Sequence, residues 1–242
     1  MAGYKNDLAY IHDVGFGDFA KQAAPGLLEI LQRNGITDGL VIDLGCGSGI
    51  WAHELIKAGY EVLGVDISAA MIKLARKKAP QARFVKQSFL KMLLPQCAVV
   101  TAIGECFNYL FDKDNEKKTL FRFFSRVYEA LRPGGVFIFD VVEPGLMSGS
   151  QPSLRHSRGK DWAILVHVEE DSNKHILTRR IATFRRIGKF YRRDEEIHRC
   201  RLYEGRELAG ELRRLGFKVR RLGSYGAFRL YKNRVGVVAR KA

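Results

Sequence analysis

Two rhythms of apolar and polar positions follow one another along this chain. In the first, runs that are apolar at nearly every position alternate with stretches whose apolar residues recur every three or four places. Leu40–Leu44 (LVIDL), 61–65, 82–86, 98–103 and 136–142 (VFIFDVV) are the short runs, the pattern of strands buried on both faces of a sheet. Between them, 50–58 (IWAHELIKA), 69–79 and 116–131 read as helices, and the last puts Leu120, Phe124, Val127 and Leu131 on one face. Ser68 is placed to cap its helix, and Gly59, Pro80 and Pro133-Gly134-Gly135 supply stops. Residues 18–33 keep helical spacing as well, but Pro25-Gly26 predicts two short helices or a kinked one. Strict alternation of strand and helix predicts an α/β fold, a doubly wound and mostly parallel sheet covered on both faces.

The second rhythm begins near residue 145. Residues 145–160 read as a Gly- and Ser-rich loop, and three strand-like runs (161–170, 175–187, 190–203) follow with no helix between them. That is the pattern of an antiparallel β-meander. A helix at 205–215, a strand at 217–222 and an antiparallel final strand at 234–240 rejoin the main sheet. The division expected is one domain built from 1–145 and 204–242, with 146–203 inserted as a meander. Ligands of doubly wound sheets sit at the carboxyl ends of the strands, so the insertion is expected to roof that edge as a substrate lid.

Composition narrows the picture. With 242 residues and 46% apolar content the chain has material for a substantial core. It holds no run of about 18 apolar residues, and its first residues lack the apolar stretch of a secretory signal, so a cytoplasmic location is expected. The cysteines at 46, 97, 106 and 200 have no metal-ligand spacing, and reduced thiols and no metal are expected. Charge is uneven: residues 1–150 carry 17 Lys and Arg against 16 Asp and Glu, and residues 151–242 carry 24 against 10. Such a basic half suits a polyanion such as RNA, or serves only to keep exposed strands soluble.

The chemistry is concentrated in 41–68, VIDLGCGSGIWAHELIKAGYEVLGVDIS. A strand enters Gly45, Gly47 and Gly49 in G-x-G-x-G spacing, a helix follows, and a second strand ends at Asp66, where a carboxylate can accept from ribose hydroxyls. A dinucleotide site needs G-x-G-x-x-G and a place for pyrophosphate at the helix N-terminus. Here Asp43 stands two residues before the first glycine; it would repel a pyrophosphate and suit an ammonium. The motif resembles that of the class I S-adenosylmethionine (SAM)-dependent methyltransferases, and the likeness continues through the ALRPGG turn (130–135) and the terminal GFKV…VGVVAR strands. This resemblance implies a Rossmann-like fold, SAM as cofactor and S-adenosylhomocysteine (SAH) as product. Asp43 and the backbone from Gly45 through Cys46 and Gly47 to Gly49 would hold the methionine end, and Asp66 the ribose. Ile67 and Met71 would flank the adenine, or are ordinary core. Where the family often has an acid after the third strand, this chain has Gln87-Ser88-Phe89, so Ser88 or the Phe89 N–H would serve the adenine. Gly104 would pass the sulfonium, and Tyr10, in a leading segment that closes over the cofactor in related enzymes, would meet the methionine carboxylate. His12 has no assigned role, and Trp51 and His53 read as packing and surface.

Methyl transfer from a sulfonium needs alignment, exclusion of water and, for some acceptors, a base. Glu105, beside Gly104, is a candidate base or cation-holding group. His198 is the second candidate, on the EIHRCRLY strand whose alternation puts Glu196, His198, Cys200 and Leu202 on one face; a structural histidine is the alternative. Asn108, Tyr225 and Arg229 are candidates to touch substrate. The expected function is SAM-dependent N- or O-methylation of a small molecule. An RNA or other polyanion methyltransferase, a non-catalytic SAM-binding protein and an NAD-dependent reductase are the competing readings; the place of the N/D-P-P-Y/F motif of base-directed enzymes reads GECFNYL.

Overall fold

The computed structural model describes residues 3–147 and 153–242. Its main sheet has seven strands in the order β10-β13-β5-β4-β1-β2-β3. They are β1 (Leu40–Leu44), β2 (Glu61–Asp66), β3 (Arg83–Lys86), β4 (Cys97–Ala102), β5 (Leu131–Val142), β10 (Phe217–Leu222) and β13 (Arg234–Lys241). Neighbours pair in parallel except around β13, which runs antiparallel to both β5 and β10. Strand order reverses between β1 and β4, and this is where a doubly wound sheet opens a crevice. The α/β fold with a mostly parallel sheet and an antiparallel last strand is therefore the one the apolar pattern predicts.

Helices α2 (Asp18–Arg33), α3 (Ile50–Lys57), α4 (Ala69–Lys78), α5 (Lys117–Ala130) and α6 (Gly205–Arg214) cover the sheet. Ser68 does cap α4, its hydroxyl accepting from the Met71 N–H at 3.2 Å. On one face, Leu120, Phe123, Phe124 and Val127 of α5 pack with Phe107, Phe137 and Phe139; each such side chain contributes about 2 kcal/mol when fully buried. On the other face, α2 runs through Pro25 as one continuous helix. Gly26 explains the Pro-Gly pair better than a break does. A Cβ there would lie 2.2 Å from the Tyr225 backbone, so glycine lets the small hairpin of β11 (Ser224–Tyr225) and β12 (Phe228–Arg229) rest directly on the helix.

A second sheet of four antiparallel strands, β6 (Ser153–Arg158), β7 (Trp162–Asp171), β8 (Ile176–Ile187) and β9 (Phe190–Arg201), lies between β5 and α6 in sequence. Its first strand falls in the segment expected as loop, of which 148–152 lies outside the described residues. SLRHSR gives little apolar signal because four of its six residues are exposed; pairing with β7 holds it extended. Two further elements were not predicted. A helix α1 occupies Asn6–Gly15, and the Pro133-Gly134-Gly135 turn lies inside an irregular start of β5 rather than before it.

Candidate active site

The carboxyl ends of β1, β2 and β4, the inner face of the four-stranded sheet and α1 enclose a cavity of about 680 Å³. At its floor, Gly45, Gly47 and Gly49 have φ of +64°, +53° and +79°, angles that favour glycine. They do different work. A Cβ on Gly45 would sit 2.7 Å from Cys106 Sγ, whereas Gly47 opens onto free space in the cavity wall. Gly49 is not in that wall: a Cβ there would meet Ala75 Cα at 2.9 Å, so it lets α3 begin against α4. Its expected cofactor contact is replaced by a packing role.

Asp43 is 2% exposed. Its Oδ1 accepts from the Thr101 hydroxyl at 2.9 Å, and Thr101 accepts from Trp51 Nε1 at 3.2 Å. The other oxygen, Oδ2, is buried with no hydrogen-bond donor among the described residues. Burial pushes the carboxyl up to about 7, because an ionised group is costly in an apolar setting without a partner. At the end of β2, Asp66 accepts from the Gly47 N–H at 3.0 Å and the Ser68 N–H at 2.7 Å; burial raises it to about 6. Cys46, Ile67, Met71, Ser88, Phe89 and Gly104 line the same cavity.

Tyr10 does not join them. Its hydroxyl donates to Asp161 Oδ2 at 2.9 Å and its ring lies under the Arg185 guanidinium, 3.7 Å away. The orientation of α1 follows from Asp7, 4% exposed, which Arg192 grips through two hydrogen bonds of 2.6 Å with Arg185 beside them. With Asp7 facing β8 and β9, the residues one turn apart that meet the cavity are Tyr4, Leu8 and His12. Burial lowers the pKa of His12, so the ring is neutral, and its Nδ1 has no partner among the described residues. Trp51 also lines the cavity, while His53 does not.

At the far end, Glu105 sits in the left-handed region (φ +59°), a strained angle for a side-chain-bearing residue. Asp140 holds it there, accepting from the N–H groups of Gly104 at 2.9 Å and Glu105 at 2.8 Å. The Glu105 carboxylate is gripped by Arg179 at 2.9 and 3.1 Å and by Arg234 at 3.2 Å, and accepts from the Tyr109 hydroxyl at 3.2 Å. Burial raises its pKa, but Arg179 and Arg234 outweigh this and hold it below the usual value. A carboxylate so occupied is a poor proton acceptor. The cations it holds are the protein's own, which corrects its expected role as a base.

The three expected substrate contacts also lie elsewhere. Asn108 is fully buried and ties three chain segments, donating to the carbonyls of Val142 at 3.0 Å and Arg201 at 2.7 Å and accepting from the Val142 N–H at 3.0 Å. Tyr225 is buried behind α2, its hydroxyl 3.5 Å from Asp140. Arg229 is exposed on β12, and Tyr231 and Arg234 of the following turn and strand line the cavity in its place. His198 is where the alternation of β9 puts it: 2% exposed, in the cavity wall, with Nε2 at 3.0 Å from Glu196 Oε2. Tyr4, Tyr109, Phe111 and Arg179, which surround it, were not anticipated. A signal for Arg179 was available, since β8 alternation places it on the same face as Leu177 and Ile181.

Residues 41–135 match the model of the methyltransferase domain family. Over 188 residues the chain is 30% identical to a putative methyltransferase of Geobacillus, covering 74% of each protein. The chain belongs to the class I SAM-dependent methyltransferases. A glycine/sarcosine N-methyltransferase of Halorhodospira halochloris is 29% identical to this methyltransferase over 128 residues, half of this chain and 46% of that one. Among solved structures, a SAM-dependent methyltransferase from Clostridium acetobutylicum shares the fold over 98% of both chains (TM-score 0.81, 22% identity). A sugar N-methyltransferase from Streptoalloteichus does so over 100% of this chain and 95% of that one (TM-score 0.77, 15% identity). SAM suits the residues present: the Asp43 oxygen that has no donor among the described residues is the counterpart of an amino acid ammonium.

Proposed function

We propose that this methyltransferase acts on a small molecule held in the cavity beneath the four-stranded sheet, methylating nitrogen or oxygen. The observation that carries the reading is the Asp43 carboxylate with one oxygen on Thr101 and the other unpartnered at the floor of that cavity. SAM supplies a methyl group already activated on a sulfonium. Asp43 binds the ammonium and Asp66 exchanges its backbone partners for the ribose hydroxyls. Ile67, Met71 and Phe89 cover the adenine, Ser88 meets its polar edge, and Gly104 leaves room beside the sulfur. The acceptor lies under Ile164, Val166 and Ile181 of the four-stranded sheet and beside Tyr4 and His198, an apolar and aromatic wall that limits the access of water. The sheet thus serves as the substrate lid, with α1 closing its edge through the Asp7 and Tyr10 contacts.

The small-molecule reading is supported by that roof, by a relative named as a glycine/sarcosine N-methyltransferase and by a similar fold named as a sugar N-methyltransferase. Part of the basic surplus of residues 151–242 is internal to the fold, with Arg179, Arg185, Arg192 and Arg234 engaged with Asp7, Glu105 and Asp140; the rest keeps a polyanion as the second reading. Transfer of labelled methyl from SAM to a panel of small amines and alcohols, run beside total RNA, tests the choice; label found in RNA alone would overturn it.

Cofactor binding has its own test. SAH at a hundredfold excess over its dissociation constant stabilises the fold by about 2.7 kcal/mol, which a thermal unfolding scan reads directly, whereas NAD has no effect. Asp66→Ala is expected to lose that stabilisation, since the ribose loses its acceptor. Retained SAH affinity in this variant would contradict the ribose assignment.

A further inference from the structure

Around His198 the acceptor end carries more than shape. The imidazole is held edge-on by Tyr4 and Phe111, each with ring centroids 4.8 Å away, and by Tyr109 at 5.9 Å. Its Nε2 lies 3.0 Å from Glu196 Oε2. A carboxylate only accepts, so in the neutral ring Nε2 carries the hydrogen and Nδ1 the lone pair. No group among the described residues bonds Nδ1, and the ring lines the cavity. The remaining oxygen of Glu196 accepts from the Lys5 backbone N–H at 3.1 Å, and Lys5 Nζ pairs with Asp194 at 2.7 Å. One residue earlier, the Tyr4 carbonyl accepts from the Ser68 hydroxyl at 2.6 Å. The segment entering α1 thus spans from the start of α4, beside Asp66, to β9.

Resting on the methyl-transfer reading, we propose that His198 Nδ1 takes the acceptor's proton, and that Glu196 and the Lys5 backbone hold the ring in the tautomer that makes this possible. The acceptor nitrogen or oxygen forms a bond to the methyl carbon while the carbon–sulfur bond breaks, its electron pair going to sulfur. The proton of the acceptor passes to Nδ1, the imidazolium pairs with Glu196, and the proton leaves to water after product release. The other titratable groups facing this point are less suited. Arg179 and Arg234 occupy Glu105; burial raises the pKa of Tyr4 and Tyr109, which stay protonated; the unpartnered nitrogen of His12 is sealed from solvent. Glu196 is a positioning residue, and because its second contact comes from Lys5, the tautomer is fixed only when the N-terminal segment is docked.

The test uses the full chain labelled with 15N-histidine, free and with SAH, read by long-range proton–nitrogen correlation at an alkaline pH where the ring is neutral. His198 signals are assigned by their loss in His198→Gln or, should that variant not fold, by contacts to the Tyr4 and Phe111 rings. The expected spectrum shows a protonated Nε2 and an unprotonated Nδ1. In Glu196→Ala the pair merges toward exchanging tautomers, Glu196→Asp restores it in part, and both variants still bind SAH. Diethyl pyrocarbonate, a small electrophile that reports a free imidazole lone pair, should acylate the native His198 at Nδ1 alone and the Glu196→Ala protein at both ring nitrogens. A protonated Nδ1 in the native chain, an unchanged spectrum in Glu196→Ala, or acylation of His12 in preference to His198 would overturn the proposal. An absence of any SAH-induced shift tells instead against the cofactor reading, and the tautomer is still decided on the free protein.

Discussion

Replacing Asp43 by Asn is expected to weaken SAH binding at least about a hundredfold while making the unliganded protein more stable above neutral pH. Both effects come from one buried charge. The carboxyl is raised from its ordinary value to about 7 in the folded chain, so between those values the native state holds a proton that the unfolded state has released. Stability contributed by this group is complete in acid and declines as pH rises to about 7, above which the full cost is present. Asn removes that cost, offset by the burial of an amide without a second partner, for a net gain of about 2 kcal/mol. Affinity runs the other way, because the ammonium needs the ionised form, and loss of a buried charge-assisted bond costs about 3 kcal/mol. Native affinity should therefore climb as pH rises through about 7. Denaturant unfolding and calorimetry across pH check both halves; a variant that is less stable than the native chain at alkaline pH would contradict the account of Asp43.

Glu105→Gln is expected to destabilise the fold by about 3 kcal/mol, since it leaves the Arg179 and Arg234 guanidiniums buried with too little compensating charge. Both arginines are nearly buried, with side-chain exposures of 18% and 11%. The pH dependence has the opposite sign to that of Asp43. The Glu105 carboxyl is held below its ordinary value, so the stability it confers is present above that value and is lost as pH falls through the folded-state value. Native protein and variant should thus converge in stability in acid and diverge at neutral pH. Equal stability of the two at neutral pH would show that the Glu105 charge does not compensate the two buried guanidiniums.

The part of the site that was legible in the sequence is the part made by neighbours in sequence. Asp43 and Gly45 are fixed by a strand and its turn, and Asp66 by the end of the next strand, so spacing alone brings them together. His198 was legible for the same reason, since strand alternation decides its face. Tyr10 and Tyr4 could not be told apart, because the helix rotates on Asp7, and Asp7 is placed by arginines of β8 and β9 far along the chain. Asn108 and Tyr225 carry polar atoms that suit a ligand equally well as a backbone carbonyl or Asp140; only tertiary packing chose between them. Gly49 shows the same limit within a motif, since its spacing gave no sign that Ala75 would lie against it. The β6 strand was hidden because an exposed strand needs no apolar alternation to pair.

The most direct measurement is a crystal structure of the SAH complex grown near pH 8. The SAH ammonium is expected within about 3 Å of Asp43 Oδ2, with the ribose hydroxyls on Asp66. A cofactor seated with its amino acid end away from Asp43, or a phosphate group lodged at the Gly45–Gly47 turn, would contradict it.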